Sequence, residues 1–411
     1  MYKKLVASIM SLLLLGLVSC DKVEPITDNP SSTDLQNDFY LSQSMQNDIL
    51  DFSIDFFKHQ IEDDENTIIS PQSLYFALGM TINGANGDTQ QELINTLCKG
   101  SDLQEFNDNI SALINQTDTK TCNIANSIWL RDVQDLSLNS EFKKSSEEYF
   151  KSEIYTKKFD GKFVDTVNKW VSKNTDGMID TILNEVPSED TMMYLINAIC
   201  FDAKWNDKYD DIQINENGKF TNSKGDIQDV VMLNSTEDTY LCDEQSTGFL
   251  KYYLGGKYAF MGILPNEDVS INDYMESLTG DSFINLYRSK ISGNSVSVNV
   301  TIPEFKYTSE YLLNDTLKDM GISSAFDEFS ADFSNMIDSN TYKLYMGKVI
   351  QKAYIQVDRN GTKASAITSI SMNDATAMLE TYQVYLDRPF IYAIMDTDTE
   401  LPIFMGVVND I

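Results

Sequence analysis

The sequence predicts one large α+β domain, and three observations support this fold class. The chain has 411 residues, of which 42% are hydrophobic and 11% aromatic, enough for a substantial core. Helix-like spacing of apolar residues dominates the first half of the chain, and strand-like patterns dominate the second half. No internal repeat and no second linker divides the chain, so we expect a single mixed domain.

The first 19 residues predict an export signal. A positive start, "MYKK", precedes the apolar stretch "LVASIMSLLLLGLV", which is too short and wrongly flanked for a membrane span. The tetrapeptide "LVSC", ending at Cys20, resembles a bacterial lipobox, in which Cys20 would be lipidated. The alternative is an ordinary secretory signal with a chance cysteine. We expect a protein anchored through lipid to the bacterial cell envelope, on its periplasmic face or the cell surface, or a secreted protein.

A polar tether is predicted for residues 20–45 and the folded domain for 46–411. Pro, Ser, Asp and Asn dominate the tether, so it should not pack. The segment "MQNDILDFSIDFFKHQ" then spaces apolar residues as one face of a helix. "ELINTLCKG" predicts a second helix, ended by Gly100.

Long strands are predicted farther along the chain. Strand-forming residues dominate "CNIANSIWLRD" and "TMMYLINAICFDAKW". In "SVSVNVTIPEFKY", alternation places Val296, Val298, Val300 and Ile302 on one face. "YKLYMGKVIQKAYIQVD" predicts another long strand, and the C-terminal segment predicts two or three closing strands.

Charge and missing motifs exclude several functions. The formal net charge of -32 argues against binding nucleic acid, whose phosphates require a basic surface. The single histidine, His59, lies in a helix-like segment without a G-x-S-x-G motif, so a structural role is favoured over catalysis. No HExxH, P-loop or GxGxxG motif occurs, and the acidic residues 63–65 predict a solvated turn. We therefore expect neither an enzyme nor a bound metal or cofactor.

Four cysteines follow the signal, without metal-type spacing: Cys98, Cys122, Cys200 and Cys242. Apolar or strand-like neighbours favour free, buried thiols. The alternative is a disulfide formed in an oxidising compartment, but the sequence does not indicate which cysteines would pair.

Several segments, in the same order along the chain, resemble the serpin family. They are "NTIISPQSLYFALGMTINGANGDTQ", "ANSIWLRD", "VNKWVSKNTDGMI", "LINAICFDAKW", "LKDMGISSAFDEFSADFSNM" and "RPFIYAIMDTDTELPIFMGVV". The likeness covers roughly residues 48–411. It implies three β-sheets, about nine helices and an exposed reactive loop, here residues 358–382.

The resemblance also implies a mechanism. A target protease cleaves the loop and forms an acyl-enzyme, after which the loop's N-terminal part enters the largest sheet as a new strand. The attached protease is dragged along and its active site is distorted. We expect a monomeric inhibitor that forms a covalent complex with its protease. A non-inhibitory binding protein on the same fold is the alternative.

The start of the loop fits this demand, because residues facing inward during insertion should be small. Reading with period two from Gly361 gives an inward face of small, then apolar residues: Thr362, Ala364, Ala366, Thr368 and Ile370. The outward face carries Lys363, Ser365, Ile367 and Ser369. Gly361 is suited to act as a hinge, and no proline follows until Pro389. Lys363 and Ile367 depart from the family pattern, so we expect slower insertion.

Other residues are assigned a role in sheet opening through the resemblance. Arg359 and Glu304 exchange the charges of a family ion pair, which predicts a contact between them. Ser70, Ser73 and Asn197 resemble a polar cluster beneath the opening strands, although helix capping or core hydrogen bonding is equally compatible. Trp205 resembles the aromatic residue at the entry point. Gln351 replaces the cluster's usual histidine, which puts pH-sensitive behaviour in doubt.

Two scissile bonds follow from two ways of counting. Counting forward from the hinge by the spacing usual in serpins, the resemblance implies Ala375–Thr376, and counting back from the segment that begins at Arg388 favours Met378–Leu379. A small or unbranched apolar residue precedes either bond, which favours an elastase-like or broad-specificity serine protease. No Arg or Lys lies between positions 364 and 382, which disfavours a trypsin-like target. A papain-like cysteine protease is an alternative target, and Asp374–Ala375 is an alternative scissile bond.

Overall fold

The computed structural model describes residues 41–99, 102–293, 295–339, 341–362 and 380–411. The α-helices in these ranges are α1 (Gln43–Gln60), α2 (Pro71–Ile82), α3 (Gly87–Leu97), α4 (Leu103–Gln116), α5 (Ser140–Phe150), α6 (Gly161–Asn174), α7 (Ile271–Ser277), α8 (Gly280–Arg288) and α9 (Asn314–Asp319).

The strands in the same ranges are β1 (Thr67–Ile69), β2 (Cys122–Arg131), β3 (Ser137–Leu138), β4 (Glu153–Lys157), β5 (Met193–Phe201), β6 (Ala203–Lys204), β7 (Ile214–Thr221), β8 (Ile227–Glu237), β9 (Thr239–Cys242), β10 (Ser246–Tyr252), β11 (Tyr258–Pro265), β12 (Ile291–Ser292), β13 (Val296–Pro303), β14 (Phe305–Leu312), β15 (Ile337–Asp338), β16 (Lys348–Asp358), β17 (Gly361–Thr362), β18 (Glu380–Tyr385), β19 (Phe390–Asp396) and β20 (Leu401–Val408).

Three large sheets organise the described chain. The main sheet has the order β4-β2-β5-β16-β17-β6, with β14 paired to the far edge of β16. The second sheet has the order β1-β20-β19-β11-β10-β9-β12, and the third has the order β18-β13-β8-β7. A two-stranded ribbon, β15-β3, is additional. The predicted α+β fold, with three principal sheets and nine helices among the described residues, is confirmed.

Local sequence accounts for the main elements. Helix α1 begins at Gln43, slightly before the predicted domain start, because the Ser42 hydroxyl accepts a hydrogen bond from the main-chain N–H of Met45. In β13, Val298, Val300 and Ile302 are buried as their alternation predicts. The closing segment forms three strands, β18, β19 and β20.

Two layers cover the main sheet. On its inner face, the fully buried helix α2 packs against β2, β5 and β20. On its outer face, α6 and the segment after it bury an aromatic cluster that includes Trp129, Tyr155 and Trp170. Lys352 of β16 ties this cover to the sheet, because its ammonium donates to the carbonyl oxygen of Thr181 at 2.8 Å. This contact places the segment after α6 over β16 at the residue where its pairing with β5 ends.

His59 and the cysteines occupy structural positions. His59 lies in the last turn of α1, where its Nδ1 is 2.8 Å from the Asp55 carbonyl oxygen. Within the described part of the chain, the cysteines at 98, 122, 200 and 242 form no disulfide, and the first three are buried. Burial raises the pKa of Cys98 to about 12, which keeps this thiol protonated and unreactive. None of the helices in the described ranges is long and apolar enough to cross a membrane.

Candidate functional site

The main sheet is split at one end between its two central strands. β5 and β16 run parallel, and their pairing ends at Ala198 and Lys352. On its other edge, β16 stays paired with β14 as far as Val357. Among the described residues, positions 353–356 of β16 therefore have a strand partner on one edge only. We call this opening the slot. It has the width of one strand, because β17 fits between β16 and β6 at its open end.

The first two residues of the predicted hinge occupy the open end of the slot as strand β17. Thr362 lies opposite Val357 of β16 in an antiparallel pair, and β17 also pairs with β6 on its other edge. Gly361 has a φ of 153°, and a Cβ atom at this position would lie only 2.1 Å from the carbonyl oxygen of Ala203. Both the backbone angle and the close approach require glycine here.

Trp205 and Tyr253 hold β17 and the turn before it. The indole N–H of Trp205 donates to the Asp358 carbonyl oxygen at 2.9 Å. The main-chain N–H of Trp205 donates to the Asn360 carbonyl oxygen at 3.2 Å. The Trp205 ring stacks on Tyr253 with centroids 4.6 Å apart. The Tyr253 hydroxyl in turn shares a 2.6 Å hydrogen bond with the hydroxyl of Thr362. Burial raises the pKa of Tyr253, which keeps its hydroxyl proton in place for this bond.

Arg359 and Glu304 meet at the turn between β16 and β17. The Nε–H of Arg359 donates to Oε1 of Glu304 at 2.9 Å, and the Arg359 main-chain N–H donates to the same oxygen at 3.1 Å. The guanidinium also lies 3.4 Å from Oε1 of Glu216 on β7. The hydrogen bond to Glu304 raises the pKa of Arg359. The expected contact is therefore present, and it ties the turn to the segment that joins β13 to β14.

We expect the Arg359→Ala and Glu304→Ala substitutions to be non-additive. The pair is partly exposed, with 38% of the Arg359 side chain and 22% of the Glu304 side chain accessible, so water screens it. A coupling free energy of about 0.5–1 kcal/mol in urea unfolding is the expected result. The exposed pair Lys318–Asp315 serves as the control. Additive effects at 359 and 304 would show that the contact does not stabilise the turn.

A buried polar cluster lies at the closed end of the slot. Gln351 donates from Nε2 to Oδ1 of Asn197 at 3.0 Å and to the Ser70 carbonyl oxygen at 2.9 Å. Asn197 donates from Nδ2 to Oγ of Ser73 and to Oδ1 of Asn126, the latter at 2.6 Å. Ser70, Ser73, Asn197 and Gln351 are all 0% exposed. These bonds join β5 to β16, and both strands to α2, just below the point where the sheet divides.

Two features of this cluster differ from what the sequence alone could tell. Ser70 precedes α2, but its hydroxyl donates to the Ile403 carbonyl oxygen at 2.8 Å and does not cap the helix. Asn126 of β2 was missed, although an asparagine within a strand-forming run signals a buried hydrogen bond. Because Gln351 and its partners do not titrate, the cluster supplies no charge change near neutral pH.

Some predicted site residues lie outside the described part of the chain. They are the remaining hinge residues Lys363, Ala364, Ser365, Ala366, Ile367 and Thr368, the bond candidates Ala375, Thr376, Met378 and Leu379, and the lipidation candidate Cys20. Within the described ranges, no group of three or more His, Cys, Asp or Glu side chains could hold a metal ion.

The fold and the site define a class of protein whose main sheet has a slot that a tethered segment of the same chain has begun to enter. The chain belongs to the serpin family, because the family model described as serpin (serine protease inhibitor) matches residues 47–411. Members of this family are mostly protease inhibitors and not catalytic enzymes.

Known relatives and solved structures agree with this assignment. The chain is 28% identical to Iripin-2 of Ixodes ricinus over 358 residues, which cover 84% of this chain and 88% of that protein. It is similar to the native state of tengpin, a thermophilic serpin, with 37% identity, a TM-score of 0.85, and coverage of 94% of this chain and 98% of tengpin. Against latent tengpin, the identity is 36% and the TM-score 0.79, with coverage of 91% and 99%.

Proposed function

We propose that this serpin inhibits a serine protease by inserting its cleaved reactive loop into the slot of the main sheet. One observation carries the proposal: Gly361 and Thr362 already pair with both strands that border the open end. At Thr362 the chain runs antiparallel to β16, in the direction that leads down the slot. After cleavage, the following residues can extend a ladder whose first two residues are formed, so no new nucleus is needed.

The existing register defines where each loop residue would go. Thr362 lies opposite Val357, and paired residues in an antiparallel ladder point to the same face. Continued insertion would set Ala364 opposite Ile355, Ala366 opposite Ala353, and Thr368 opposite Gln351. The two alanines would then face buried apolar neighbours, and the threonine would meet the polar cluster. Reaching Gln351 also requires β5 to separate from β16 below Lys352, because the two strands are paired there. The match between side-chain size, polarity and site supports insertion along the slot and past its closed end.

The chemistry belongs mainly to the protease. Its serine oxygen attacks the scissile carbonyl carbon, the peptide bond breaks, and the new amino group leaves with the C-terminal fragment. The N-terminal side of the loop stays joined to the protease as an ester, and insertion carries that ester away from the cleavage position. Water then fails to release the protease because its catalytic groups are distorted. Insertion must be faster than hydrolysis of the ester. The rate at which the loop enters the slot therefore decides whether the protease is trapped or released.

The proposed target is an elastase-like or broad-specificity serine protease, cleaving at Ala375–Thr376 or Met378–Leu379. We further propose that the protein is exported and lipid-anchored to a bacterial cell envelope through Cys20. The apolar signal and the lipobox-like "LVSC" support this localisation.

Incubation with pancreatic elastase tests the inhibitory function. We expect a covalent complex that survives SDS, together with release of a C-terminal peptide whose mass identifies the cleaved bond. The chain purified without residues 1–19 is suitable, and papain serves as the comparison protease. Complete digestion of the loop by elastase, without any covalent complex, would contradict the proposal and favour a non-inhibitory binding protein.

A further inference from the structure

A buried ion pair lies behind the residues that hold the hinge. Nζ of Lys251, on β10, is 2.7 Å from Oε1 of Glu237, on β8, and the two side chains are 2% and 11% exposed. The hydroxyl of Ser235 donates to the same carboxylate oxygen at 2.5 Å. A lysine is rarely this buried, and burial of its charge is costly unless the charge is paired. The Lys251–Glu237 pair is therefore a buried ion pair whose charges are compensated by their contacts.

The Lys251 ammonium also faces two aromatic rings. It lies 4.7 Å from the ring centroid of Tyr209 and 5.4 Å from that of Trp205, both within the range of a cation–π interaction. Burial opposes the charged form of Lys251, but Tyr209 and Glu237 outweigh it, so its pKa lies above the usual value. The cation is thus held within reach of the same Trp205 ring that stacks on Tyr253.

The pair stands between the two ends of the reactive loop. Toward the hinge, the Lys251 ammonium contacts the Trp205 ring, and this ring stacks on Tyr253. The hydroxyl of Tyr253 is hydrogen-bonded to that of Thr362. Toward the far end, Glu237 lies opposite Val298 of β13, and Val298 is also the register partner of Tyr382 on β18. One ion pair therefore links the support of the hinge to the sheet that anchors the chain after residue 379.

We propose that Lys251 and Glu237 are positioning residues that hold Trp205 and Tyr253 against the hinge and thereby keep β17 in the open end of the slot. Stability alone does not explain the pair, since apolar replacements of buried ion pairs are often neutral or stabilising. A fixed cation beside the indole adds a cation–π attraction that helps to fix the position of Trp205 and that an apolar side chain lacks. The consequence for inhibition rests on the proposed function, but the effect on the hinge does not.

Hydrogen exchange of residues 359–362, followed by mass spectrometry, tests the positioning role in the full folded domain. In Lys251→Met, we expect exchange in this segment to rise by about tenfold, as the support of Trp205 weakens. Lys257→Met is the matched control: Lys257 lies just before β11, pairs with the buried Asp396 at 3.4 Å, and faces the ring of Tyr258. It should leave exchange in residues 359–362 unchanged. An unchanged rate in Lys251→Met, or an equal rise in both variants, would overturn the proposal.

A double variant separates positioning from the cost of a stranded charge. Lys251→Met combined with Glu237→Gln removes both charges, so we expect thermal stability to recover toward that of the native sequence while exchange in residues 359–362 stays fast. Recovery of slow exchange in the double variant would overturn the proposal, because the unpaired carboxylate alone would then explain the single variant.

Inhibition provides a second readout, separate from hydrogen exchange. With elastase, Lys251→Met should raise the number of inhibitor molecules consumed per complex by about twofold or more, with an unchanged rate of loop cleavage. If the native sequence forms no covalent complex, the proposed function fails, and the exchange experiment still decides the positioning role. An unchanged stoichiometry in a variant with a loosened hinge would overturn the link between hinge position and inhibition.

Discussion

On the proposed mechanism, the Ala366→Arg substitution is expected to convert the protein from an inhibitor into a substrate of its target protease. The register set by Thr362 and Val357 would bring residue 366 opposite Ala353, which is 0% exposed on the inner face of the main sheet. An arginine there would leave an unpaired charge in the core. Such burial costs about 3 kcal/mol or more, so we expect covalent complex formation with elastase to fall by at least about 100-fold.

The neighbouring residue offers the matched control. Ser365→Arg adds the same side chain one position earlier, opposite Tyr354, which is only partly buried on the outer face. This variant should retain most of the inhibition, and both variants should be cleaved at the native rate. The measurements are the yield of SDS-stable complex and the rate of appearance of the C-terminal peptide. Equal inhibition by the two variants would show that the inward and outward faces are assigned wrongly or that the loop does not insert.

Removing the amide of Asn197 is expected to destabilise the protein strongly. Asn197 is 0% exposed and bonds to Gln351, Ser73 and Asn126, so Asn197→Ala leaves several buried polar groups without their partner. We expect the free energy of unfolding to fall by about 3 kcal/mol. Amide exchange of residues 196–198 should accelerate as well, because the side-chain link between β5 and β16 is lost.

A second asparagine with several hydrogen bonds controls for amide loss in general. Asn66 accepts from the main-chain N–H groups of Asn409 and Asp410 and donates to the Asp410 carbonyl oxygen, so none of these bonds involves β5 or β16. Asn66→Ala should cost less stability and leave exchange at 196–198 unchanged. If Asn66→Ala opens β5 and β16 as readily as Asn197→Ala does, the cluster has no special role in closing the slot.

The regular elements could be predicted from local patterns, but their arrangement could not. Alternation in β13 correctly gave its buried face, since period-two burial is a property of the strand itself. The order of strands in three sheets depends on pairing between distant segments. The hydrophobic periodicity of one segment does not indicate which other segment it pairs with. The number of sheets was expected only through the resemblance to a known family, carried by motifs such as "LINAICFDAKW", and the order of their strands was not predicted.

The site shows the same division between local and distant causes. Ser70, Asn197 and Gln351 could be proposed together through the resemblance, and they are in contact. The strand β17 could not be predicted, because it depends on the close approach of Gly361 to the backbone of Ala203, far away in sequence. Lys251 was missed for a related reason. A lysine usually predicts an exposed position, and only its partner on β8 makes burial tolerable.

Thermal unfolding of the protein before and after cleavage of the loop tests the central claim most directly. An inserted strand would gain a ladder on both edges over about ten residues, with each hydrogen bond contributing about 0.5–1.5 kcal/mol. We therefore expect the midpoint of unfolding to rise by roughly 20 °C or more in the nicked protein, with residues 362–372 becoming protected from hydrogen exchange. An unchanged midpoint, with those residues exchanging as fast as in the intact chain, would contradict loop insertion.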